Sequence, residues 1–348
     1  MTSTRVIEAD LTWLNGAFHE RVQIEITDKG RIGAVGVLGR PDAERLSDRA
    51  IIPGMVSTHS HAFQRGLRGR GERFPAGAGT FWTWREAMYR LAASLDEDAL
   101  YRWCLLAFGE MRREGITAVG EFHYLHHTSG NRDFSFDRVM AQAARESGIR
   151  LVLMPTWYRT GGIGQPLQGA QLQFATPDMT AFLNHLEVLA AELDPETQHA
   201  GVAAHSVRAA SPEEIAALYN HARERGWPFH IHLEEQRQEI EACRAAYGMT
   251  PMALLLDRLP SLNGLTAVHC THSAPEELGR FLDAGGRVCL CPLTEAGLGD
   301  GIADLPSMLR VPGALSLGTD SNARISMLEE MRLLEFGQRL SRETRGVV

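Results

Sequence analysis

The sequence predicts an α/β protein, a (β/α)8 barrel of the TIM type with a small N-terminal β-sandwich portion. Three observations lead to this prediction. Eight apolar, strand-like runs recur after residue 50, helical stretches alternate with them, and polar side chains collect where the runs end. Strands that alternate with helices favour such a barrel, whose active sites lie at the carboxyl ends of the strands. We therefore expect the sandwich portion at residues 1–50 and the barrel at residues 51–348.

The composition argues against nucleic acid or membrane lipid as a partner. The formal net charge is −8, and no apolar run approaches the roughly 20 residues that span a bilayer. The N-terminus shows no basic stretch followed by an apolar core, so we expect no secretion signal. The five cysteines lie mostly in apolar runs. They predict reduced core residues of a cytoplasmic protein.

The first element along the chain is a small antiparallel β unit. Its clearest stretch is RVQIEITDKGRIGAVG at residues 21–36, in which Asp28, Lys29 and Gly30 form a turn between two alternating runs. Lys29 is the only lysine of the chain, since every other long basic residue is an arginine. No lysine from the barrel region can therefore take part in the chemistry of a site there.

The eight barrel strands follow in order, with amphipathic segments between them. Two of these segments, SPEEIAALYNHARERG (211–226) and SAPEELGRFLDAGG (273–286), open on a Ser-Pro or Ser-Ala-Pro cap signal and end at glycine. The strand runs are AIIPGMVSTHSH, ITAVGEFHY, IRLVLMPTWY, AGVAAHSVR, PFHIHLEE, LTAVHCTHS, RVCLCPLTEA and ALSLGTDSN.

Histidines and acids at the strand ends predict a metal site. His59 and His61 stand two residues apart in a strand and so point to the same side. In the second pair, His232 lies nearer the strand end than His230. A hydrolytic zinc site needs about three protein ligands and one open position. The strand-end polar residues are His59, His61, His123, His205, His232, His269, Glu295 and Asp320, and the predicted ligands among them are His59, His61, His232 and Asp320.

A single histidine in a strand is more often a hydrogen-bonded core residue than a metal ligand. The number of histidines at successive strand ends outweighs that alternative here. Six further histidines, here called the outlying histidines, are predicted to lie on the surface or just behind the residues that contact the metal, and no catalytic role is assigned to them; they are His126, His127, His185, His199, His221 and His272.

The stretches PGMVSTHSHAFQR, HIHLEEQ, VHCTHS and LGTDSN resemble the signature positions of the amidohydrolase superfamily, in its mononuclear deaminase branch. The resemblance implies that the first HxH pair, the strand-five histidine and the strand-eight aspartate hold one divalent metal ion, with zinc expected. Binuclear members bridge their metals with a carboxylated lysine from strand four, or occasionally with a carboxylate there. Here strand four is AGVAAHSVR, which has no lysine.

The resemblance also implies the catalytic roles. Glu235 would protonate the leaving nitrogen and shuttle the proton from water, with Glu234 as the local competitor. His269 would hydrogen-bond the attacking water, and Asp320 would accept its proton. The expected reaction is attack on a C=N carbon, passage through a tetrahedral intermediate, and loss of ammonia.

Loop stretches carry a narrower resemblance. FWTWREAMYR, EFHYLHH, HSVRAASPEE and LTEAGLGDGI resemble family members that convert N-formimidoyl-L-glutamate to N-formyl-L-glutamate and ammonia in histidine degradation. A small-molecule substrate with carboxylates is thus the expected partner, and arginines hold carboxylates through paired hydrogen bonds. The implied substrate-binding residues are Gln64, Arg85, Tyr124, His205 and Arg208.

Other interpretations stay open. The substrate could be another formimino or guanidino acid or a nucleobase, and a catalytically silent barrel could act as a scaffold. Relatives commonly dimerise, so a homodimer is possible. Family members continue beyond the point where this chain stops, with strands that complete the sandwich. We therefore expect the barrel to be truncated after strand eight and its helix, and residues 1–50 to keep an unpaired edge.

Overall fold

The computed structural model describes residues 4–71, 77, 79–128, 131–176 and 178–347. It divides into two compact units, Met1–Gly54 and Met55–Val348. Within the described residues, we find no helix that is both long and apolar enough to cross a membrane. All five cysteines are buried and free of disulfide bonds.

The first unit is a five-stranded sheet. Its order is β2-β1-β3-β4, and β5 pairs with β1. The predicted turn is present: the amide of Gly30 donates to the carbonyl of Thr27 over 2.9 Å, and Gly30 has a φ of 70°. The strands are β1 (Arg5–Leu14), β2 (Ala17–His19), β3 (Gln23–Ile26), β4 (Ile32–Gly36) and β5 (Glu44–Ile51).

The antiparallel prediction is correct for the first four strands and wrong for the fifth. β5 runs parallel to β1, with Glu44 opposite Ile7. Alternation of apolar and polar residues identifies a strand, but it carries no information about strand direction, which depends on the path of the connection.

The second unit is a nearly closed parallel barrel, which confirms the predicted fold class. Its strand order is β14-β13-β12-β11-β10-β8-β7-β6, with β9 beside β8. Strand four of the prediction is divided into two short strands, β9 and β10. The strands are β6 (Met55–Ser60), β7 (Ile116–His123), β8 (Arg150–Trp157), β9 (Gln198–Ala200), β10 (Val202–Ala204), β11 (Phe229–Leu233), β12 (Leu265–His269), β13 (Arg287–Leu290) and β14 (Leu315–Leu317).

Helices cover the outer face of the barrel strands, which explains why strands such as β11 are buried at every position. Short 3-10 helices occupy Ala62–Leu67 and Gly169–Phe174. The α-helices are α1 (Phe81–Ala93), α2 (Glu97–Arg113), α3 (Ser135–Ser147), α4 (Met179–Glu192), α5 (Pro212–Arg225), α6 (Arg237–Tyr247), α7 (Pro251–Arg258), α8 (Pro275–Asp283), α9 (Pro292–Leu298), α10 (Leu305–Leu309) and α11 (Met327–Arg342).

The two predicted helix starts differ in their capping. At α5, Ser211 and Glu214 form a reciprocal capping box, and Gly226 ends the helix in the left-handed conformation, as predicted. At α8, the N-cap is Ala274 and no side chain caps the helix. Because Pro275 is the first helical residue, Ala274 occupies the N-cap position, and Ser273 lies one residue before it.

The barrel closes where the last strand meets the first. Beyond β14, the amides of Thr319 and Asp320 donate to the carbonyl of His59, and the amide of His61 donates to the carbonyl of Asp320. Gly318 makes this approach possible, because a Cβ atom at this position would lie 2.7 Å from both the Cβ and the carbonyl oxygen of His59. Closure of the barrel therefore places the predicted ligands on strands one and eight side by side.

Replacing Gly318 with alanine is expected to lower the free energy of unfolding by about 1–3 kcal/mol, because the added methyl group forces β6 and β14 apart. Chemical denaturation would measure the change. Gly297→Ala in α9 is the matched control, since no atom lies within 4 Å of its added Cβ. Equal stability of Gly318→Ala and the original protein would contradict the tight approach.

Candidate metal centre

Four side chains from three strand ends converge at the carboxyl end of the barrel. His59 and His61 come from the end of β6, His232 from β11, and Asp320 from the residues after β14. Nε2 of His59 lies 3.2 Å from Nε2 of His61 and 3.2 Å from Nε2 of His232. Oδ1 of Asp320 lies 3.4 Å from Nε2 of His59 and 3.3 Å from Nε2 of His61. The structure thus brings all four predicted ligands together.

Backbone carbonyls fix the orientation of two of these imidazoles. Nδ1 of His61 donates to the carbonyl of Phe122 over 2.7 Å, and Nδ1 of His232 donates to the carbonyl of His205 over 3.0 Å. A neutral imidazole that donates from Nδ1 presents a lone pair at Nε2. Both Nε2 lone pairs therefore point toward Nε2 of His59, as in sites where a backbone group orients a metal ligand.

The protonation states of the four candidate ligands suit the binding of a cation. Burial lowers the pKa of His59 to about 3, although its hydrogen bond to Asp320 opposes the shift. Burial also lowers the pKa of His61 and of His232. For Asp320 burial favours the neutral acid, but the hydrogen bond of His59 and the charge of His269 lower its pKa below the ordinary value. Three neutral imidazoles face one carboxylate.

This donor set fits a divalent metal ion. Nε2 of His59 carries at most one proton, so it can satisfy only one of the two lone pairs that face it at 3.2 Å, whereas a cation among the three nitrogens would satisfy all of them. Three imidazoles and a carboxylate at these spacings match a zinc site, in which each ligand lies about 2.0–2.2 Å from the ion. His59, His61, His232 and Asp320 would hold it.

His269 lies beside this group and contacts three carboxylates. Its Nε2 is 3.8 Å from Oε1 of Glu235 and 3.7 Å from Oδ2 of Asp320. Its Nδ1 is 3.2 Å from Oε1 of Glu295, which also accepts the amide of Cys291 over 2.8 Å. Burial alone would lower the pKa of His269, but these carboxylates raise it well above the ordinary value. Glu295 thereby orients the His269 ring.

The structure separates the roles of the two neighbouring glutamates. Glu235 lines the cavity that contains the metal centre, and burial raises its pKa, with His269 and Arg208 opposing the shift. Glu234 instead accepts the amide of Met252 over 2.9 Å at the start of α7. Glu235 is therefore the glutamate that faces the cavity, and Glu234 is a helix-capping residue.

The backbone is strained where the site is built. Glu234 (φ 55°), His269 (φ 77°), Cys270 (φ 51°) and Asp320 (φ 44°) all adopt the left-handed conformation. A residue other than glycine rarely adopts this conformation, which costs about 1–2 kcal/mol. The strand ends therefore turn sharply at the residues that form or adjoin the site.

The predicted substrate-binding residues line the same cavity. It encloses about 550 Å³, part of it open to solvent, and Gln64, Arg85, Tyr124, His205 and Arg208 all contribute to its wall together with His269 and Asp320. The amide nitrogen of Gln64 donates to the hydroxyl of Tyr124 over 2.7 Å.

The two arginines reach the cavity from different elements. Arg85, in α1, lies with its guanidinium carbon 4.3 Å from the centroid of the Trp82 ring. Arg208, after β10, lies with Nη2 3.6 Å from Oε2 of Glu235 and Nε 3.6 Å from Oε1 of Glu239. These separations exceed hydrogen-bond length, so the guanidinium of Arg208 keeps donors for a ligand.

The cavity also has an aromatic wall that the sequence analysis did not predict. Tyr158 packs edge-on against His205 at 4.6 Å between ring centroids. In α1, Phe81, Arg85 and Met88 follow a spacing of three to four residues, which places them on one helix face. This spacing in FWTWREAMYR was the signal that could have identified the wall. The unpredicted members are Phe81, Trp84, Met88, Tyr89, Tyr158, Phe174 and Leu298.

His123 does not join the metal centre, contrary to the expectation that the strand-end polar residues cluster together. Its Nε2 lies 3.3 Å from Oδ1 of Asp137. The same carboxylate oxygen lies 2.8 Å from Nδ1 of His126, and Oδ2 of Asp137 lies 2.8 Å from Nε2 of His185. β7 turns His123 to the face opposite Phe122, which packs against His59.

The expectation of surface positions is also wrong for two of the outlying histidines. His126 and His127 are fully buried. Nε2 of His126 donates to the carbonyl of Thr156 over 2.9 Å, and the amide of Phe134 donates to Nδ1 of His127 over 3.0 Å. These hydrogen bonds compensate for burial of the rings. The sequence pattern does not predict these hydrogen-bond partners, because Thr156 and Phe134 lie in other parts of the chain than the two histidines.

Comparison with known proteins agrees with the geometry. The model of the amidohydrolase family matches residues 50–347. Formimidoylglutamate deiminase from Pseudomonas aeruginosa is 36% identical over 344 residues, which cover 96% of this chain and 74% of that protein. The 5-methylthioadenosine/S-adenosylhomocysteine deaminase 2 from Archaeoglobus fulgidus is 28% identical over 298 residues, which cover 84% of this chain and 65% of that protein.

Solved structures give the same result. An amidohydrolase from Brucella melitensis superposes with a TM-score of 0.91 at 36% identity, covering 99% of this chain and 77% of that one. An adenosine deaminase from Xanthomonas campestris with bound zinc superposes with a TM-score of 0.76 at 22% identity, covering 97% of this chain and 74% of that one. At this lower identity the likeness concerns the fold alone. The family resemblance predicted from the sequence is confirmed.

Proposed function

The chain belongs to the amidohydrolase family, and from this premise we propose that it converts N-formimidoyl-L-glutamate to N-formyl-L-glutamate and ammonia. The observation that carries the proposal is that Arg85 and Arg208 line the same cavity as Glu235 and three of the four candidate metal ligands, which are His61, His232 and Asp320. A formimidoyl amino acid offers one C=N carbon for hydrolysis and two carboxylates for the arginines. The 36% identity to a formimidoylglutamate deiminase supports this substrate.

His59, His61, His232 and Asp320 would hold one divalent ion, for which we propose zinc. When bound there, zinc would activate a water molecule by lowering the pKa of that water to about 7. This chain has a single lysine, Lys29, outside the barrel. A lysine bridge to a second metal in the barrel is therefore impossible.

Glu235 and His269 supply the proton chemistry. Burial raises the pKa of Glu235, which favours the protonated carboxyl group that delivers a proton to the leaving nitrogen. His269, placed between Glu235 and Asp320, donates a hydrogen bond to the oxygen that adds to the carbon. Oδ2 of Asp320 accepts the proton released from water. Asp320 then passes this proton to the leaving nitrogen, the hydroxyl proton of the tetrahedral carbon returns to Glu235, and cleavage of the C–N bond gives ammonia and the formyl product.

Two arginines divide the recognition of the substrate. Each guanidinium can hold one carboxylate through two parallel hydrogen bonds. Gln64, Tyr124 and His205 complete the polar part of the wall. We also propose that the enzyme acts in histidine degradation in the cytoplasm, as a homodimer.

Ammonia release from a substrate panel tests the proposal. The metal-loaded protein should prefer N-formimidoyl-L-glutamate over N-formimidoyl-L-aspartate, a guanidino acid, guanine and adenosine. The aromatic wall favours a nucleobase or nucleoside as the second candidate, because aromatic rings stack on bases. A higher kcat/KM for adenosine or guanine than for N-formimidoyl-L-glutamate would overturn the proposed substrate. No ammonia from any compound would favour the scaffold alternative.

Arg85→Met and Arg208→Met are each expected to lower kcat/KM for N-formimidoyl-L-glutamate by about 10²–10³-fold, because each leaves a carboxylate without its charged partner. Steady-state ammonia assays would measure the loss, and metal content should be unchanged. Arg90→Met is the matched control, since Arg90 is exposed on the same helix. Full activity of either cavity variant would exclude that arginine from carboxylate binding.

A further inference from the structure

Arg208 faces two carboxylates along one edge of its guanidinium group. Nη2 lies 3.6 Å from Glu235 and Nε lies 3.6 Å from Glu239. Nε and Nη2 form the side edge of the guanidinium, which a single carboxylate can occupy through two parallel bonds. Here each glutamate faces one nitrogen of that edge. The end edge, formed by Nη1 and Nη2, is therefore the edge available to a ligand from the cavity.

Glu239 is an unusual residue for its position. It lies in the first turn of α6 and is 2% exposed. Burial raises its pKa to about 7, while Arg208 acts in the opposite direction. A buried carboxylate is costly unless it is paired with a cation, and Arg208 is the cation beside it. Glu239 plays no part in the proposed reaction, because Arg208 and Glu235 line the cavity and Glu239 does not.

If Glu239 were absent, Arg208 would form a paired hydrogen-bonded ion pair with Glu235. Glu235 is the other carboxylate along the same edge, and a paired Arg–carboxylate bond is favoured over two separations of 3.6 Å. Such a pair would hold Glu235 away from the reacting nitrogen. It would also turn the guanidinium away from the substrate carboxylate.

We propose that Glu239 is a positioning residue that prevents Arg208 from pairing with Glu235, so that Arg208 stays available to a carboxylate of the substrate and Glu235 stays available for proton transfer. The inference rests on the proposed function for the identity of that carboxylate. Through Arg208, Glu239 thus affects both the binding of the substrate carboxylate and the proton transfer by Glu235.

A double-mutant cycle tests the inference. The metal-loaded original protein, Glu239→Gln, Arg208→Met and the double variant are compared with N-formimidoyl-L-glutamate as substrate. Glu239→Gln should lower kcat/KM by about 10- to 100-fold, within the coupling range of contacting residues. The double variant should match Arg208→Met within about twofold, because Glu239 acts through Arg208. A merely structural role would instead give losses that multiply.

Controls separate positioning from folding. Glu241→Gln changes an exposed glutamate two residues further along α6 and should leave kcat/KM unchanged. Metal content of Glu239→Gln should equal that of the original protein. The inference is overturned if Glu239→Gln behaves like the original protein, or if the double variant loses the product of the two single losses.

A binding assay distinguishes failure of this inference from failure of the proposed function. Absence of ammonia release by the original protein would overturn the proposed substrate only. In that case, calorimetric binding of glutarate, a plain dicarboxylate, is measured on the same four proteins. The inference is supported if Glu239→Gln binds glutarate more weakly than the original protein and the double variant binds it as weakly as Arg208→Met. Equal binding by Glu239→Gln, or no binding by the original protein, overturns it.

Discussion

Glu235→Gln is expected to lower kcat for ammonia release by about 10²–10⁴-fold while metal content stays the same, because general acid–base catalysis contributes a factor of this size. The amide keeps the shape of the side chain but cannot carry the proton between water and the leaving nitrogen. Single-turnover assays on metal-loaded protein would measure the loss in the chemical step.

Glu234→Gln provides the matched control for this variant. Glu234 lies next in the chain, and its Oε1 accepts the amide of Met252, which an amide oxygen at the same position can also do. We therefore expect kcat within about twofold of the original protein, since a neutral acceptor can replace the carboxylate there. A larger loss in Glu234→Gln than in Glu235→Gln would reverse the assignment of the two roles.

Removal of the divalent ion is expected to abolish ammonia release, with a loss of at least about 10³-fold, because a bound cation supplies several kcal/mol of stabilisation to such reactions. Dialysis against a chelator followed by addition of zinc should remove and restore activity. His59→Ala and His232→Ala should give the same loss without recovery. Metal analysis of the purified protein is the direct measurement.

Thermal unfolding gives a second readout that does not depend on turnover. Zinc at 100 times its dissociation constant should raise the free energy of unfolding by about 2.7 kcal/mol, and His59→Ala should lack this effect. His199→Ala changes an exposed histidine and should retain it. One zinc per chain is expected. His126, His185 and Asp137 form a second group of histidines and a carboxylate, but both oxygens of Asp137 are already engaged in hydrogen bonds with these two histidines. Protein that binds no metal at any supplied concentration would contradict the metal centre.

The convergence of the four candidate metal ligands could be predicted because local rules place them. His59 and His61 point to one side of a strand through the two-residue period, and the ends of parallel barrel strands meet at one face. Asp320 was predicted from its strand end and from the family resemblance. Each prediction needed only the strand boundary, which apolar runs indicate well.

His123 shows where the same rules fail. The last five residues of β7 are all buried, so the burial of apolar residues does not reveal which alternate positions face the barrel interior. That choice depends on register with the neighbouring strands. A shift of one residue exchanges Phe122 and His123 between the two faces.

The contacts of Glu239, which the sequence analysis did not single out, and of Glu295, which it placed only at a strand end, were beyond sequence reasoning for another reason. An acidic residue in the first turn of a helix is ordinarily a solvent-exposed group that interacts with the helix dipole. Burial and a cationic partner make each one unusual, and both depend on tertiary packing. Arg208 and His269 come from elements distant in sequence, so no local spacing connects them to these glutamates.

The left-handed residues at the strand ends have a consequence for protein engineering. They concentrate unfavourable conformational energy at one face, where geometry serves reactivity rather than robustness. Attempts to raise the melting temperature should therefore leave that rim untouched and concentrate on the opposite end of the barrel, where tighter loops and better caps carry no penalty for turnover.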